Sequence, residues 1–262
     1  MNGVTFCFIV TQDLNKETIW KRWLEGLDAL RFPYKVVTHC SNPEQITSPY
    51  LKKTLMNRHY PTKWGRILRA EWELFKYAYE HTESEWFILL SESCIPIRSP
   101  QSFVDLYSKY RSKSIVNYSP AWWDVQKHNR AELRSLPREY HIGHDTWLVL
   151  CRNDITDIKQ LEFNNDMLFD TCFLDGSISD ESMIAVWLKK ANNFANTIRH
   201  KITLVDWTRT NGNNPYTFNR MEPDFIEKEM NANPFSMFLR KVGKECPDTD
   251  IVPYLTQFQL NA

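Results

Sequence analysis

Two adjacent carboxylates, Asp180 and Glu181, follow Ser179 and precede the apolar run Met183-Ile-Ala-Val-Trp-Leu188. A carboxylate within hydrogen-bond reach of a hydroxyl can take its proton, so this pair is a candidate general base. The same acids would equally complement the dipole of a helix capped by Ser179, an ordinary use for acids in a first turn. Asp180 would raise the pKa of Glu181 and a helix N-terminus would lower it, so the sign of the shift stays open. The basic pair Arg240-Lys241 reads, taken by itself, as a solvated strand end. Ser91-Glu-Ser-Cys-Ile-Pro96 leaves an apolar run, and ligands gather at the carboxyl ends of strands in α/β sheets. The Asp-x-Asp at Asp248-Thr-Asp250 follows Cys246-Pro247 and reads as a solvated turn rather than a metal site.

The six cysteines (Cys7, Cys40, Cys94, Cys151, Cys172, Cys246) form no C-x-x-C and no paired Cys/His spacing, which argues against zinc. Several sit in apolar runs, as reduced core cysteines do, while their even number leaves disulfides open. Cys94 has no histidine near it in sequence to activate it as a nucleophile. The histidines show no ligand spacing either.

The elements that must carry these residues follow from periodicity. Val4 to Val10 and Tyr34 to Thr38 read as strands flanking a helix over Thr18 to Leu30, an opening that predicts a parallel sheet. Arg66 to Tyr79 is a second helix, with Leu68, Trp72, Phe75 and Tyr79 in one stripe. Trp86 to Leu90 is a continuous apolar strand, Pro100 to Tyr107 a proline-opened helix, and Trp147 to Cys151 another strand. Ser179 to Lys190 reads as one capped helix, Ile202 to Val205 and Met237 to Leu239 as short late strands, and Arg111 to Glu139 as loop-rich. No repeat or linker divides the 262 residues, and one domain is expected.

Lys+Arg and Asp+Glu both number 32, so no net field favours nucleic acid or an anionic membrane. The aromatic content of 14%, with 10 Trp, suits a core of large side chains or a sugar-binding cleft, and composition alone favours the core. Trp122-Trp123 reads as cover for that core more than as a sugar platform, and Asp206-Trp207 as architectural. The N-terminal apolar run is too short for a signal peptide or membrane span, so a soluble, cytoplasmic chain is expected, or a Golgi-lumenal one if an anchor was removed.

Several segments, in order, resemble the core-2/I-branching β-1,6-N-acetylglucosaminyltransferase family (glycosyltransferase family 14), particularly its plant-like branch. These are Trp64-Gly65 with Ala70-Glu71, Phe87 to Ile97, Gly143 through Trp147 to Arg152, and Asp180-Glu181. Val205-Asp206-Trp207, Asn214-Pro215 and Phe238 to Val242 complete the series. The third segment departs from the family's Gly-Ser-Gln-Trp by an extra residue and by His144-Asp145-Thr146.

The resemblance implies a GT-A-like α/β domain, a twisted mixed sheet between helices, that moves a sugar from a nucleotide donor to a glycan or other hydroxyl. It implies Glu181 as the base, and Lys241, Arg240 and, in place of a second family arginine, Arg220 against the diphosphate. Ser91, Glu92, Ser93 and Cys94 would line the donor pocket, and Asp145, Trp147, Arg152 and Asp180 the acceptor or donor sugar. It implies no divalent metal or other cofactor, an inverting displacement, and UDP-N-acetylglucosamine before UDP-xylose as donor. A catalytically silent carbohydrate-binding protein keeping the fold, and a metal-dependent transferase of another family, remain as alternatives.

Overall fold

The computed structural model describes residues 2–128, 130–210 and 212–257, without the side chains of residues 171, 172 and 257, so the expectation for Cys172 lies outside the described side chains. The elements run β1 (Val4–Val10), α1 (Glu17–Ala29), β2 (Tyr34–Cys40), α2 (Pro49–Lys52), α3 (Leu68–His81), β3 (Trp86–Ser91), β4 (Ile95–Pro96), α4 (Pro100–Tyr110). There follow β5 (Tyr118–Pro120), β6 (Ile142–His144), β7 (Val149–Cys151), α5 (Arg152–Phe163), α6 (Thr171–Leu174), α7 (Met183–Lys190). The chain ends with β8 (Thr203–Val205), α8 (Pro223–Ala232), β9 (Phe238–Arg240), α9 (Asp248–Ile251) and α10 (Tyr254–Gln257).

The main sheet has the order β2-β1-β3-β7. β1 runs parallel to β2 and β3, while β7 is antiparallel to β3. A continuous apolar strand must bury both faces, and β3 does so by alternation. Trp86, Ile88 and Leu90 point into one core with α1 and α4, while Phe87 and Leu89 point into the other with α3, α5 and α7. This is the expected α/β architecture with a mixed sheet between helices. Among the described residues, no helix is long and apolar enough to cross a membrane.

Half of the ten tryptophans are core, as composition suggested. Trp20, Trp23, Trp72, Trp86 and Trp187 are all fully buried. Two of them also aim the chain: Trp20 Nε1 donates to the Cys94 carbonyl and Trp23 Nε1 to that of Arg98, each at 2.8 Å. Both bonds pin the segment leaving β3 onto α1. That segment includes β4, which pairs antiparallel with β9, and β9 pairs with β8 in a second, three-stranded sheet. The Val242 N–H donates to the Ser93 carbonyl at 2.9 Å, so the end of β9 is stitched to the turn after β3.

The predicted helix over Ser179 to Lys190 is broken. Ser179–Glu181 is a single 3-10 turn, Ser182 leaves helical geometry at φ −146°, and α7 starts only at Met183. The residue before the turn, Ile178, has φ +55°, a left-handed conformation that costs a β-branched residue energy and that the surroundings must hold. Gly65 holds it: its carbonyl accepts from the Ile178 N–H, and a Cβ on Gly65 would meet Ile178 Cγ1 at 3.0 Å. The two acids therefore stand on a separate turn in front of α7 rather than in its first turn.

Candidate active site

The carboxyl ends of β1 and β3 open into a cleft whose wall includes Val10, Thr11, Ser91 and Glu92. The end of β9 supplies Arg240 and Lys241, the stretch before β7 supplies Thr146 and Trp147, and the 3-10 turn supplies Asp180 and Glu181. A second cavity continues from it, lined by Trp122, Arg130, His144 and Asp145 among others. Glu181 borders both, as do Trp64, Trp147 and Trp207.

Glu181 is seated where a base would be useful. Burial, followed by the charge of Asp180, pushes its pKa up to about 7, against the opposing pull of Arg130. Arg130 Nη1 donates to Glu181 Oε2 at 2.9 Å, and its guanidinium lies 4.8 Å from the centre of the Trp123 ring. Asp180 is buried and rises to about 6, chiefly through desolvation, with Thr146 Oγ1 donating to its Oδ2 at 3.4 Å. Asp145 accepts from Asn117 Nδ2 at 2.9 Å, and burial raises its pKa as well.

The cations are fixed by packing. Arg240 Nε donates to Ser91 Oγ at 3.0 Å, and its guanidinium sits 4.5 Å from the Trp147 ring centre. Lys241 Nζ donates to Asn214 Oδ1 at 3.0 Å. Burial lowers the pKa of both, and for Lys241 the neighbouring Arg240 adds to it. Among the described residues neither forms a direct ion pair, and the Glu92 carboxylate, which lines the same cleft, only partly offsets their charge.

Of the residues picked from sequence, the cleft unites Glu181, Asp180, Ser91, Glu92, Asp145, Trp147, Arg240 and Lys241. Four others stand elsewhere. Cys94 is fully buried beneath the turn, its Sγ accepting from the Ser91 N–H at 3.3 Å, and burial raises its thiol pKa. Ser93 turns inward to Ser91 Oγ at 3.1 Å. Arg220 is exposed and outside the lining of both cavities.

Arg152 is the clearest correction, and antiparallel geometry explains it. Cys151 pairs with Trp86 at the amino end of β3, so Arg152 emerges at the opposite edge of the sheet from Ser91. There its guanidinium donates to the carbonyls of Ser84, Tyr79 and Thr82 around the end of α3, and lies 4.4 Å from the Tyr79 ring centre. Arg152→Met is therefore expected to cost about 2 kcal/mol in urea unfolding and to leave ligand binding in the cleft unchanged.

Sequence reasoning gave no site role to Arg130, nor to Trp64 and Trp207, although both tryptophans stand in segments that carry the family resemblance. Trp64 is 65% exposed and Trp207 51%, unusual for tryptophan, and both line the cleft. Asp206 accepts from Thr208 N and Arg209 Nε, whereas its neighbour Trp207 stands exposed in the cleft wall. Trp122-Trp123 divides the same way. The pair packs over Gly143, where a Cβ would meet Trp122 Cζ3 at 2.5 Å, yet Trp122 is 57% exposed and lines the second cavity. The five cysteines described are free and buried. The acids of Asp248-Thr-Asp250 lie on α9, with Asp248 paired to Lys16 at 3.1 Å.

Comparison with known proteins adds the family. A search of curated proteins finds no match. Among solved structures, a glycosyltransferase involved in the glycosylation of the major capsid of PBCV-1 resembles the chain at 10% identity and a TM-score of 0.34, over 90% of this chain and 93% of that one. That likeness is too distant to bear on function. The family model of the core-2/I-branching enzyme, by contrast, matches residues 4–231. The match spans most of the sequence, and the chain belongs to the core-2/I-branching enzyme family of glycosyltransferases.

Proposed function

We propose that the chain transfers a sugar from a UDP-linked donor to a hydroxyl of a glycan or similar acceptor, with inversion and without a divalent ion. UDP-N-acetylglucosamine is the first donor to test and UDP-xylose the second. The observation that carries the reading is Glu181, poised near neutrality where the two cavities meet. The nucleotide end is the cavity at the carboxyl ends of β1 and β3, as in other open α/β sheets. The acceptor end is the second cavity, where Trp64, Trp122 and Trp207 offer aromatic faces to sugar rings.

In the reaction, the Glu181 carboxylate takes the acceptor O–H proton. The acceptor oxygen bonds the anomeric carbon from the side opposite the diphosphate while the carbon–phosphate-oxygen bond breaks, so the anomeric centre inverts. Arg130 occupies Oε2, which leaves Oε1 to receive the proton. The charge released onto the leaving diphosphate meets Arg240 and Lys241, cations already in place before the charge develops.

Thermal shift separates the donor classes, because a ligand that binds only the folded state raises the melting temperature. UDP and UDP-sugars are expected to stabilise the protein, and GDP and CMP are not. Transfer is expected to persist in excess EDTA. Activity that vanishes on chelation and returns with Mn²⁺ would replace the cationic scheme by a metal-borne one.

A further inference from the structure

The buried face of α3 is apolar except at one position. Glu71 stands among Ala70, Trp72, Leu74 and Phe75 and is 1% exposed. The other acids of the helix reach lysines, Glu73 meeting Lys76 and Glu80 meeting Lys159. Glu71 has no ion pair among the described residues, and its Oε1 has no hydrogen-bond partner. An unpaired carboxylate in such a place is too costly to keep ionised, so the group takes up a proton. Burial, and after it the charge of Asp180, raises its pKa well above the carboxylate range.

The Ser179–Glu181 turn packs against α3. Ser179 Oγ, Asp180 Oδ1 and Ser182 Oγ, all buried, are also without partners. Buried polar atoms in native proteins are nearly always satisfied, and two carboxylates satisfy each other only when one carries a proton, so the unpaired Glu71 and Asp180 oxygens on the two sides of this contact point to such a pair. A neutral Glu71 has one O–H to give, and Asp180 is the ionisable group coupled to it.

We propose that Glu71 is a positioning residue for Glu181: a neutral buried acid whose O–H supports the Asp180 carboxylate and keeps it ionised beside the base. This rests on Glu181 being the base. The charge of Asp180 is the second cause of the raised Glu181 pKa. Without the Glu71 donor, the Asp180 pKa, already raised to about 6 by burial, rises further, its charge near neutrality falls, and with less repulsion Glu181 becomes a weaker base.

The other ionisable groups around the contact are accounted for. Arg130 faces both Asp180 and Glu181, and Asp145 faces Glu181. From β1, the Cys7 thiol is raised by burial, and from β2, His39 is lowered to about 4, so both stay neutral near pH 7. From α5, Glu162 is held by Trp72 and Lys76.

The test uses the full-length protein with Glu71→Gln and Glu71→Leu. Glutamine keeps a donor without ionising, and leucine removes it. In Glu71→Leu, kcat is expected to fall about tenfold with donor KM unchanged. The acid limb of its pH–rate profile is expected to move down by roughly one pH unit. Glu71→Gln is expected to keep the wild-type limb. An acid limb in Glu71→Leu that coincides with wild type, or a Glu71→Gln as impaired as Glu71→Leu, overturns the proposal. Infrared difference spectra of wild type against Glu71→Gln provide a second arm that needs neither turnover nor the leucine variant to fold. A protonated-carboxyl band at neutral pH that is lost in Glu71→Gln supports the proposal, and its absence from wild type refutes it. This arm is independent of Glu181, so a failure there is distinct from failure of the assigned base.

Discussion

Glu181→Gln is expected to lose about 10²–10⁴-fold in transfer and yet to be more stable than wild type near pH 8. Both effects share one cause. Burial and Asp180 raise the Glu181 pKa from 4.5 to about 7, so the fold disfavours the ionised form that the chemistry needs. The sign follows from linkage. A raised folded-state pKa contributes stability that is fully present below the unfolded value and is lost as pH rises through about 7. Above that, wild type carries the whole penalty, and glutamine carries none. The variant's advantage should therefore be near zero around pH 4.5, grow through neutrality and reach roughly 2–3 kcal/mol near pH 8. Urea unfolding at the two extremes measures it. Equal stability at both would mean that the carboxylate is comfortably solvated and not poised as a base.

Lys241→Met should remove the more exposed of the two cations proposed to meet the leaving diphosphate. Loss of a preorganised charge at a developing anion costs about 10²–10³-fold in kcat, with acceptor KM unchanged. Lys241 makes one hydrogen bond, to Asn214, so its loss should leave the melting temperature nearly unaltered. Arg240→Met should lose a similar amount of activity and also some stability, because that side chain bridges Ser91 and Trp147. Steady-state kinetics and UDP titration of both variants separate the effects. Full activity in Lys241→Met would show that the diphosphate sits elsewhere.

Much of the scaffold was legible because its elements have one dominant period. The apolar runs of β1 and β3 admit only strands buried on both sides, and the stripe of α3 only a helix. Legibility ended where tertiary contacts override local signals. Ser179 has the form of a cap, but the Gly65–Ile178 contact imposes a left-handed residue just ahead and breaks the helix after one turn. Arg152 follows Trp147 by five residues, yet the antiparallel direction of β7 puts the two at opposite edges of the sheet. Trp64, Arg130 and Trp207 converge only through the fold, and no spacing in the chain brings them together. Glu181, Arg240 and Lys241 were singled out by resemblance to a family pattern, since an acidic pair and a basic pair are by themselves ordinary surface features.

The dependence of wild-type kcat/KM on pH tests the central assignment most directly, because it titrates the free enzyme. A base held by its surroundings near neutrality requires a rise through about pH 7 with the slope of a single proton. A rate already level from pH 5 upward would mean that an ordinary, well-hydrated carboxylate, or no protein base at all, receives the acceptor's proton.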